Sequence, residues 1–330
     1  MKDAALNSYG EIMCRKILIG GAWPYANGSL HIGHLAGLLP GDVLARYHRA
    51  CGDDVIYVSG SDCYGTPVSI RARSECKSPE EISGHYHEQF RSCFEKLGFS
   101  YDVYGRSGYH LPDEIISTEY LTLEGRKIST SQNWAVWVKD IADRFQPDVI
   151  RYFLLANGPE KRDTDFSWQE FVKSVNGELL GAYGNFVNRS LVFLQKYFDA
   201  EVPDGQLEPT IQGELNVLCG KTGRLIEKGR FREALETVFE YIRSANKYFD
   251  AKAPWITRTE NLPSCRNTLY TCVQLCANFA VLLSPFLPFS SETLAGWLGT
   301  GLDWRVWTVP AGRKLPPPQV LFERLPEAEL

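Results

Sequence analysis

Between Lys16 and Ser59 the chain reads as an apolar strand, a turn-rich loop, a helix and a second apolar strand. Lys16-Ile-Leu-Ile-Gly20 is short, branched and apolar, and it ends in glycine. Gly21 to Gly28 is rich in turn residues, a helix runs from about His31 to Cys51, and Asp54-Val-Ile-Tyr-Val-Ser59 is again strand-like. Strand, loop, helix and strand in that order open a parallel α/β sheet. Pro79 to Leu97 reads as a helix capped by Ser78, Phe99 to Pro112 as irregular, and Glu119 to Leu123 as a third strand before the loop Glu124-Gly-Arg-Lys127.

From Gln146 the period becomes helical. Ser167 and Glu170 have the spacing of a capping box for a long helix to about Phe198. Phe231 to Ala251, Cys265 to Ser284 and Ser290 to Leu298 are further helices, with Pro254 and Pro285 at their ends. The expected organisation is a shortened Rossmann-like α/β domain over 1–162, an all-α bundle over 163–300, and a loosely packed tail over 301–330 that contains Pro316-Pro-Pro318.

The 330 residues are enough for two domains, and 44% apolar with 23% charged residues fits a globular chain. No apolar run is long enough to span a bilayer, so no membrane partner is expected. Met1 to Lys16 has no apolar core of a secretory signal, which makes the cytosol the expected address. A net charge of −5 argues against indiscriminate nucleic-acid binding and leaves room for a local basic face. The nine Cys form no Cys-x-x-Cys pair and read as reduced thiols; Cys272 and Cys276 fit core packing on an apolar helix. His85 and His87, two apart on a helix, are poor joint ligands.

Two segments carry chemistry. His31-Ile-Gly-His34 opens a helix just after a glycine turn, where free backbone N–H groups and the positive dipole end favour phosphate. Gly33 lets a nucleotide approach the backbone, and the two imidazoles can donate to phosphate oxygens in a transition state. The plain alternative is a helix start that carries two histidines. Lys127-Ile-Ser-Thr-Ser131 follows a strand and Gly125; a lysine on a mobile loop can follow a pyrophosphate leaving group, and the plain alternative is a polar linker.

In this order the two segments resemble the His-Ile-Gly-His and Lys-Met-Ser-Lys-Ser motifs of class I aminoacyl-tRNA synthetases. The flanks sharpen the resemblance to the methionyl-tRNA synthetase family: Pro24-Tyr-Ala-Asn-Gly-Ser-Leu-His-Ile-Gly-His34, Gly60-Ser-Asp-Cys-Tyr-Gly-Thr-Pro67 and Tyr120-Leu-Thr-Leu-Glu-Gly-Arg-Lys127. Arg151 to Pro159 and Asp163 to Trp168 resemble that family's stem-contact region. The resemblance implies ATP with Mg2+ as the nucleotide substrate, with His31, His34 and Lys127 catalytic and Gly33, Ser129 and Ser131 completing the ATP site. It implies amino-acid binding by Trp23, Tyr25 and Asp62, with Asp62 holding the α-ammonium group. Thr130 stands where the family's second lysine does, one positive charge fewer.

In the helical half, Gly184-Asn-Phe-Val-Asn-Arg189 places Asn185 and Arg189 on one helix face, and Ala253-Pro-Trp255 sits at a helix end. In the family these positions read a CAU anticodon, which implies a tRNA partner; amides and guanidinium groups suit base edges and indole suits a base face. The resemblance also implies a loss. His85 to Arg106 matches the segment before the family's connective insertion, and Leu111-Pro-Asp-Glu-Ile115 already matches the lead-in to the lysine loop. The connective domain with its zinc knuckle and the adjoining strands, including the aromatic wall of the methionine pocket, are therefore expected to be absent, and no structural zinc is expected. Three functions stay open: an amino-acid-activating ligase that charges tRNA, a related ligase that passes another amino acid to a small nucleophile, and a catalytically weak module that binds tRNA or a partner.

Overall fold

The computed structural model describes residues 14–105 and 115–326. The expected junction around Tyr109, His110 and Leu111 lies outside them. The chain divides into two compact units, 1–168 and 169–330.

In the first unit, β1 (Lys16–Gly20) and β2 (Asp54–Gly60) pair in parallel, with Ile17 opposite Val55 and Ile19 opposite Tyr57. The crossover between them is α1 (Ile32–Ala50), as the strand–loop–helix–strand pattern requires. Its face of Ile32, Leu35, Leu39 and Val43 is buried, and Tyr57 beneath it is fully buried, its hydroxyl donating to Leu38 O at 3.4 Å. Burial of each such side chain is worth roughly 1.5–3 kcal/mol. α2 (Thr66–Glu75) and α3 (Pro79–Lys96) follow. Ser78 caps α3 as expected: its Oγ accepts from Glu81 N at 3.1 Å, and the Glu81 carboxylate accepts from Ser78 N at 2.7 Å.

The stretch read as irregular contains β3 (Val103–Gly105), which pairs in parallel with β2 through Val58 and Val103. Three residues are too few to show alternation, so this strand had no pattern to announce it. Within the described residues this sheet stops at the order β1-β2-β3. Parallel sheets are ordinarily covered on both faces, yet Leu18, Ile56 and Val103 stay 57, 51 and 55% exposed. The third expected strand, β4 (Leu121–Leu123), joins a separate sheet. There it runs antiparallel to β5 (Arg126–Lys127) and parallel to β6 (Thr164–Phe166). β6 carries residues beyond 162 into the first unit, so the expected boundary falls short of the observed one.

Between these strands lie α4 (Val138–Arg144) and α5 (Pro147–Ala156). The resemblance set Arg151 in a stem-contact region, but its side chain is fully buried and reaches Asp42 Oδ2 at 2.7 Å and Leu97 O at 3.3 Å. In the second stretch Asp163 accepts from Tyr120 N, and Asp165 from Gly125 N and Thr122 Oγ1, while both stay exposed.

The second unit is helical. α6 (Trp168–Ser174) is followed by a π-helical segment, Val175–Gly184, and by α7 (Asn185–Tyr197), where one long helix was expected. Next come α8 (Pro209–Glu227), α9 (Phe231–Lys252), α10 (Pro254–Glu260), α11 (Leu262–Leu283) and α12 (Pro288–Leu298). α11 is the central helix, and Cys272 and Cys276 are fully buried on it. No helix among the described residues is long and apolar enough to cross a membrane.

The segment after residue 300 is not loosely packed. Gln274 donates to Val309 O at 3.0 Å and accepts from Val309 N at 2.7 Å; Asn278 does the same to the Trp307 backbone, both at 2.9 Å. Val309 and Phe322 are buried, and Asn176 holds the Leu325 backbone in the same two-way fashion. Buried amides on an apolar helix need partners, and here the partners are the backbone groups of the tail.

Candidate active site and candidate RNA-reading face

His31 is the N-cap of α1, with extended backbone at φ −118° and ψ 168°. Its Nδ1 accepts from Gly33 N at 3.2 Å, while His34 Nδ1 accepts from His31 N at 3.1 Å. The two rings stack with centroids 3.8 Å apart. Burial, with His34 alongside, pushes the His31 pKa down to about 3, and burial pushes His34 down to about 4. Both rings are therefore neutral at pH 7. Because each Nδ1 accepts a backbone proton, each ring proton sits on Nε2, where it can be donated. A Cβ at Gly33 would lie 3.0 Å from the His31 ring and 3.5 Å from Ile128. That places the residue following Lys127 against the first turn of α1.

Backbone pairing makes this approach rigid. Ile32 N donates to Val136 O at 3.0 Å, and Val138 N donates to Leu30 O at 2.9 Å, clasping the segment after the lysine loop onto the helix start. The lysine loop is a closed hairpin: Ser129 and Trp134 exchange two backbone bonds of 2.9 Å, and the Ser129 and Ser131 hydroxyls lie 3.3 Å apart. Trp134 Nε1 donates to Leu123 O, and the Arg126 guanidinium covers the Trp134 ring at 4.3 Å. Lys127 is exposed on β5, with no carboxylate partner among the described residues.

Trp23, Tyr25 and Asp62, expected at an amino-acid site, gather at the carboxyl ends of β1 and β2. Tyr25 and Asp62 form a parallel bridge, with Asp62 N donating to Pro24 O and Ala26 N to Asp62 O. Gly60 admits Trp23: a Cβ there would lie 2.6 Å from its ring and 2.3 Å from Gly105 O. Asp62 Oδ1 accepts from Tyr64 N at 3.1 Å and has no cationic partner among the described residues. His87 points away from His85 into the interior, where its Nδ1 lies 3.1 Å from Ser61 Oγ. Tyr104 OH is 2.8 Å from the same hydroxyl. This buried support under the Asp62 loop was not foreseen; an alternating position on a half-buried helix was its only trace. Among the described residues no three His, Cys, Asp or Glu side chains cluster as a metal site.

In the second unit Asn185, Arg189 and Trp255 also come together. Asn185 Nδ2 donates to Asn246 Oδ1 at 3.2 Å, and Arg189 pairs with Asp250 at 2.5 Å while covering Phe249 at 4.5 Å. Trp255 is 47% exposed, its ring 6.1 Å from that of Phe249. Asn246 and Asp250 were missed, although their four-residue spacing on α9 marks them as face neighbours.

The family model of class I tRNA synthetases (M) matches residues 17–108 and 106–191, and that of the anticodon-binding domain of tRNA ligase matches 209–312. The chain belongs to the class I methionyl-tRNA synthetase family. Methionine–tRNA ligase 1 of Alkaliphilus oremlandii is 34% identical to it, with 94% of this chain and 97% of the relative covered. A Bacillus cereus methionine–tRNA ligase is 33% identical, covering 94% and 96%. The structure of Mycobacterium tuberculosis methionyl-tRNA synthetase in complex with methionyl-adenylate shares the fold, with a TM-score of 0.83 at 17% identity over 94% of this chain and 100% of that one.

This methionyl-tRNA synthetase relative is a shortened member. The alignment to the Alkaliphilus ligase runs over 524 residues, more than the 330 present here, so part of that ligase has no counterpart. The two matches to the synthetase model meet at residues 106–108, directly after β3. As a family member it is an aminoacyl-tRNA ligase of the ATP-dependent kind.

Proposed function

We propose that the chain activates an amino acid with ATP and passes it to a tRNA carrying a CAU anticodon. The observation that carries this reading is the clasp of Leu30 and Ile32 to Val136 and Val138, which brings the histidine pair and the lysine hairpin to one helix start. The amino-acid carboxylate attacks the α-phosphorus; its P–O bond forms as the bond to the β-phosphate breaks, and pyrophosphate leaves. His31 and His34 donate from Nε2 to the phosphate oxygens, Gly33 and the α1 N-terminus receive the triphosphate, and Ser129 and Ser131 add hydroxyl donors. Lys127, a free ammonium, neutralises the leaving group. A Mg2+ ion carried by the ATP phosphates and several waters would offset phosphate charge at the same place.

Asp62, without a competing cation, takes the α-ammonium group, and Trp23 and Tyr25 flank it. We propose that no structural zinc is held, because the nine cysteines form no Cys-x-x-Cys pair of the kind a zinc knuckle uses. Asn185, Arg189 and Trp255 read the anticodon from one surface. A catalytic unit over 1–168, an RNA-binding unit over 169–330 and cytosolic residence complete the reading.

The exposed Leu18, Ile56 and Val103 of the three-stranded sheet support a second reading, a tRNA-binding module with little catalysis. ATP–pyrophosphate exchange measured across all amino acids separates the two. Exchange that falls by about two to four orders of magnitude in the His31→Ala/His34→Ala variant supports activation at this site. Absence of exchange with every amino acid, alongside tight CAU-tRNA binding, supports the module.

A further inference from the structure

A second aromatic and basic cluster lies beside Asn185, Arg189 and Trp255. Tyr197 lies two turns beyond Arg189 on α7, in step with Phe193, and is 38% exposed. One side of its ring packs on Phe193, with centroids 4.6 Å apart. The Arg258 guanidinium covers the ring at 4.4 Å, and the Lys196 ammonium lies 5.0 Å from its centroid. Arg258 sits three residues after Trp255 on α10, so both project from one side of that helix. Phe193 and Phe249 are edge to face, joining this cluster to the ring beside Trp255.

The charges decide what the cluster suits. Arg189 is matched by Asp250 and Lys252 by Glu208. Arg258 and Lys196 have no carboxylate partner among the described residues, although the chain as a whole is acidic. A pair of unmatched cations held over an ordered, half-exposed ring next to an exposed indole offers both a stacking surface and phosphate charge.

We propose that Tyr197, Arg258 and Lys196 form a further RNA subsite, which takes the nucleotide adjoining the anticodon triplet by stacking and by its phosphate. This rests on the anticodon reading of the same unit. The Arg258 guanidinium at the Tyr197 ring supplies charge for a phosphate oxygen, and Lys196 adds a point charge for the same strand of RNA.

The test is binding of the full chain to a short RNA hairpin with CAU in its loop, intact or abasic at the positions adjoining the triplet. Tyr197→Ala is expected to weaken binding about five- to a hundred-fold, the range of one lost base stack, and Tyr197→Phe to restore it. One of the abasic hairpins is expected to bind the unmodified chain weakly and to be indifferent to Tyr197→Ala. Arg258→Gln is expected to lower the salt dependence of binding by about one phosphate contact. Thermal unfolding of each variant separates lost binding from lost folding. CAU-selective binding that survives all three substitutions unchanged overturns the subsite and leaves the anticodon reading standing. Equal binding of hairpins with and without CAU overturns the anticodon reading itself, and the subsite with it.

Discussion

Arg151 on α5 and Asp42 on α1 form an ion pair of 2.7 Å in which neither side chain reaches solvent. Asp42 is fully engaged: it also accepts from Ser100 N and Oγ at 2.7 Å each and from Arg46 Nε at 2.9 Å. Arg151 and Arg46 hold its carboxyl below the usual range against the opposing effect of burial. The pair locks the crossover helix to α5 and the loop before β3. Arg151→Met is expected to destabilise the chain by about 3–5 kcal/mol, because it strands a buried carboxylate. Arg151→Met with Asp42→Leu is expected to cost less than the two single changes summed. Urea unfolding of the three variants measures this; additive losses would show that the two groups are not coupled.

The depressed histidines set a pH dependence. Both His31 and His34 bind protons more weakly folded than unfolded, at about 3 and about 4 against 6.5. Between those limits the unfolded chain holds more protons, so stability falls as pH drops through 6.5 and goes on falling towards 4. The unmodified chain is therefore expected to lose stability faster over this window than the His31→Gln/His34→Gln variant. Chemical unfolding at a series of pH values compares the slopes, and parallel slopes would contradict the burial assigned to these rings.

The strand and helix order around residues 16–60 was legible because apolar period and turn residues agreed there. The histidine pair was legible as a helix start, but its reciprocal capping was not: that depends on both rings folding back onto backbone N–H groups. The spacing of Asn246 and Asp250 put them on one face of α9, but their pairing with Asn185 and Arg189 was not legible, because those partners lie sixty-one residues away in sequence. The π-helical segment reads like ordinary helix, since Val175, Leu179 and Tyr183 recur every four residues and are buried in either form. The tail was misjudged from its prolines. Gln274 and Asn278, four apart on an otherwise apolar helix, were the signal that a backbone segment must cover them.

Those two amides should be sensitive positions. Gln274→Leu leaves the Val309 N–H and C=O without their partners, and Asn278→Leu does the same at Trp307. Each substitution is expected to cost about 1–3 kcal/mol per stranded group. Proteolytic cleavage between residues 301 and 326 is expected to quicken in parallel. Unchanged cleavage with lowered overall stability would place the role of the amides in the helix bundle alone.

The exposed indole of Trp255 should carry much of the anticodon affinity. Trp255→Ala is expected to weaken CAU-tRNA binding by about 1–3 kcal/mol, one base stack. Asn185→Ala leaves the backbone pairing of α7 intact and is expected to relax selectivity with a smaller loss of affinity. Filter binding against tRNAs with other anticodons reads both effects, and an unmodified chain that does not prefer CAU would contradict the premise.

Amino-acid choice follows from the shortened sheet. Selectivity for an apolar side chain comes from a fitted pocket, and one methylene there is worth about 1–3 kcal/mol. The two matches to the synthetase model meet directly after β3 in sequence, and the end of that strand, Gly105, lies against Gly60 beside Trp23. On the proposed reading Asp62 takes any α-ammonium group, whereas less protein remains to enclose the side chain. Discrimination between methionine, norleucine and leucine in pyrophosphate exchange is therefore expected to be weak, within about two orders of magnitude. Asp62→Asn is expected to weaken every accepted amino acid alike, since the group it holds is common to all. Metal analysis of the same untagged preparation is expected to find no stoichiometric zinc. Methionine preferred by several orders of magnitude, or one zinc per chain, would show that a closed pocket or a metal knuckle has been rebuilt from other residues of this chain.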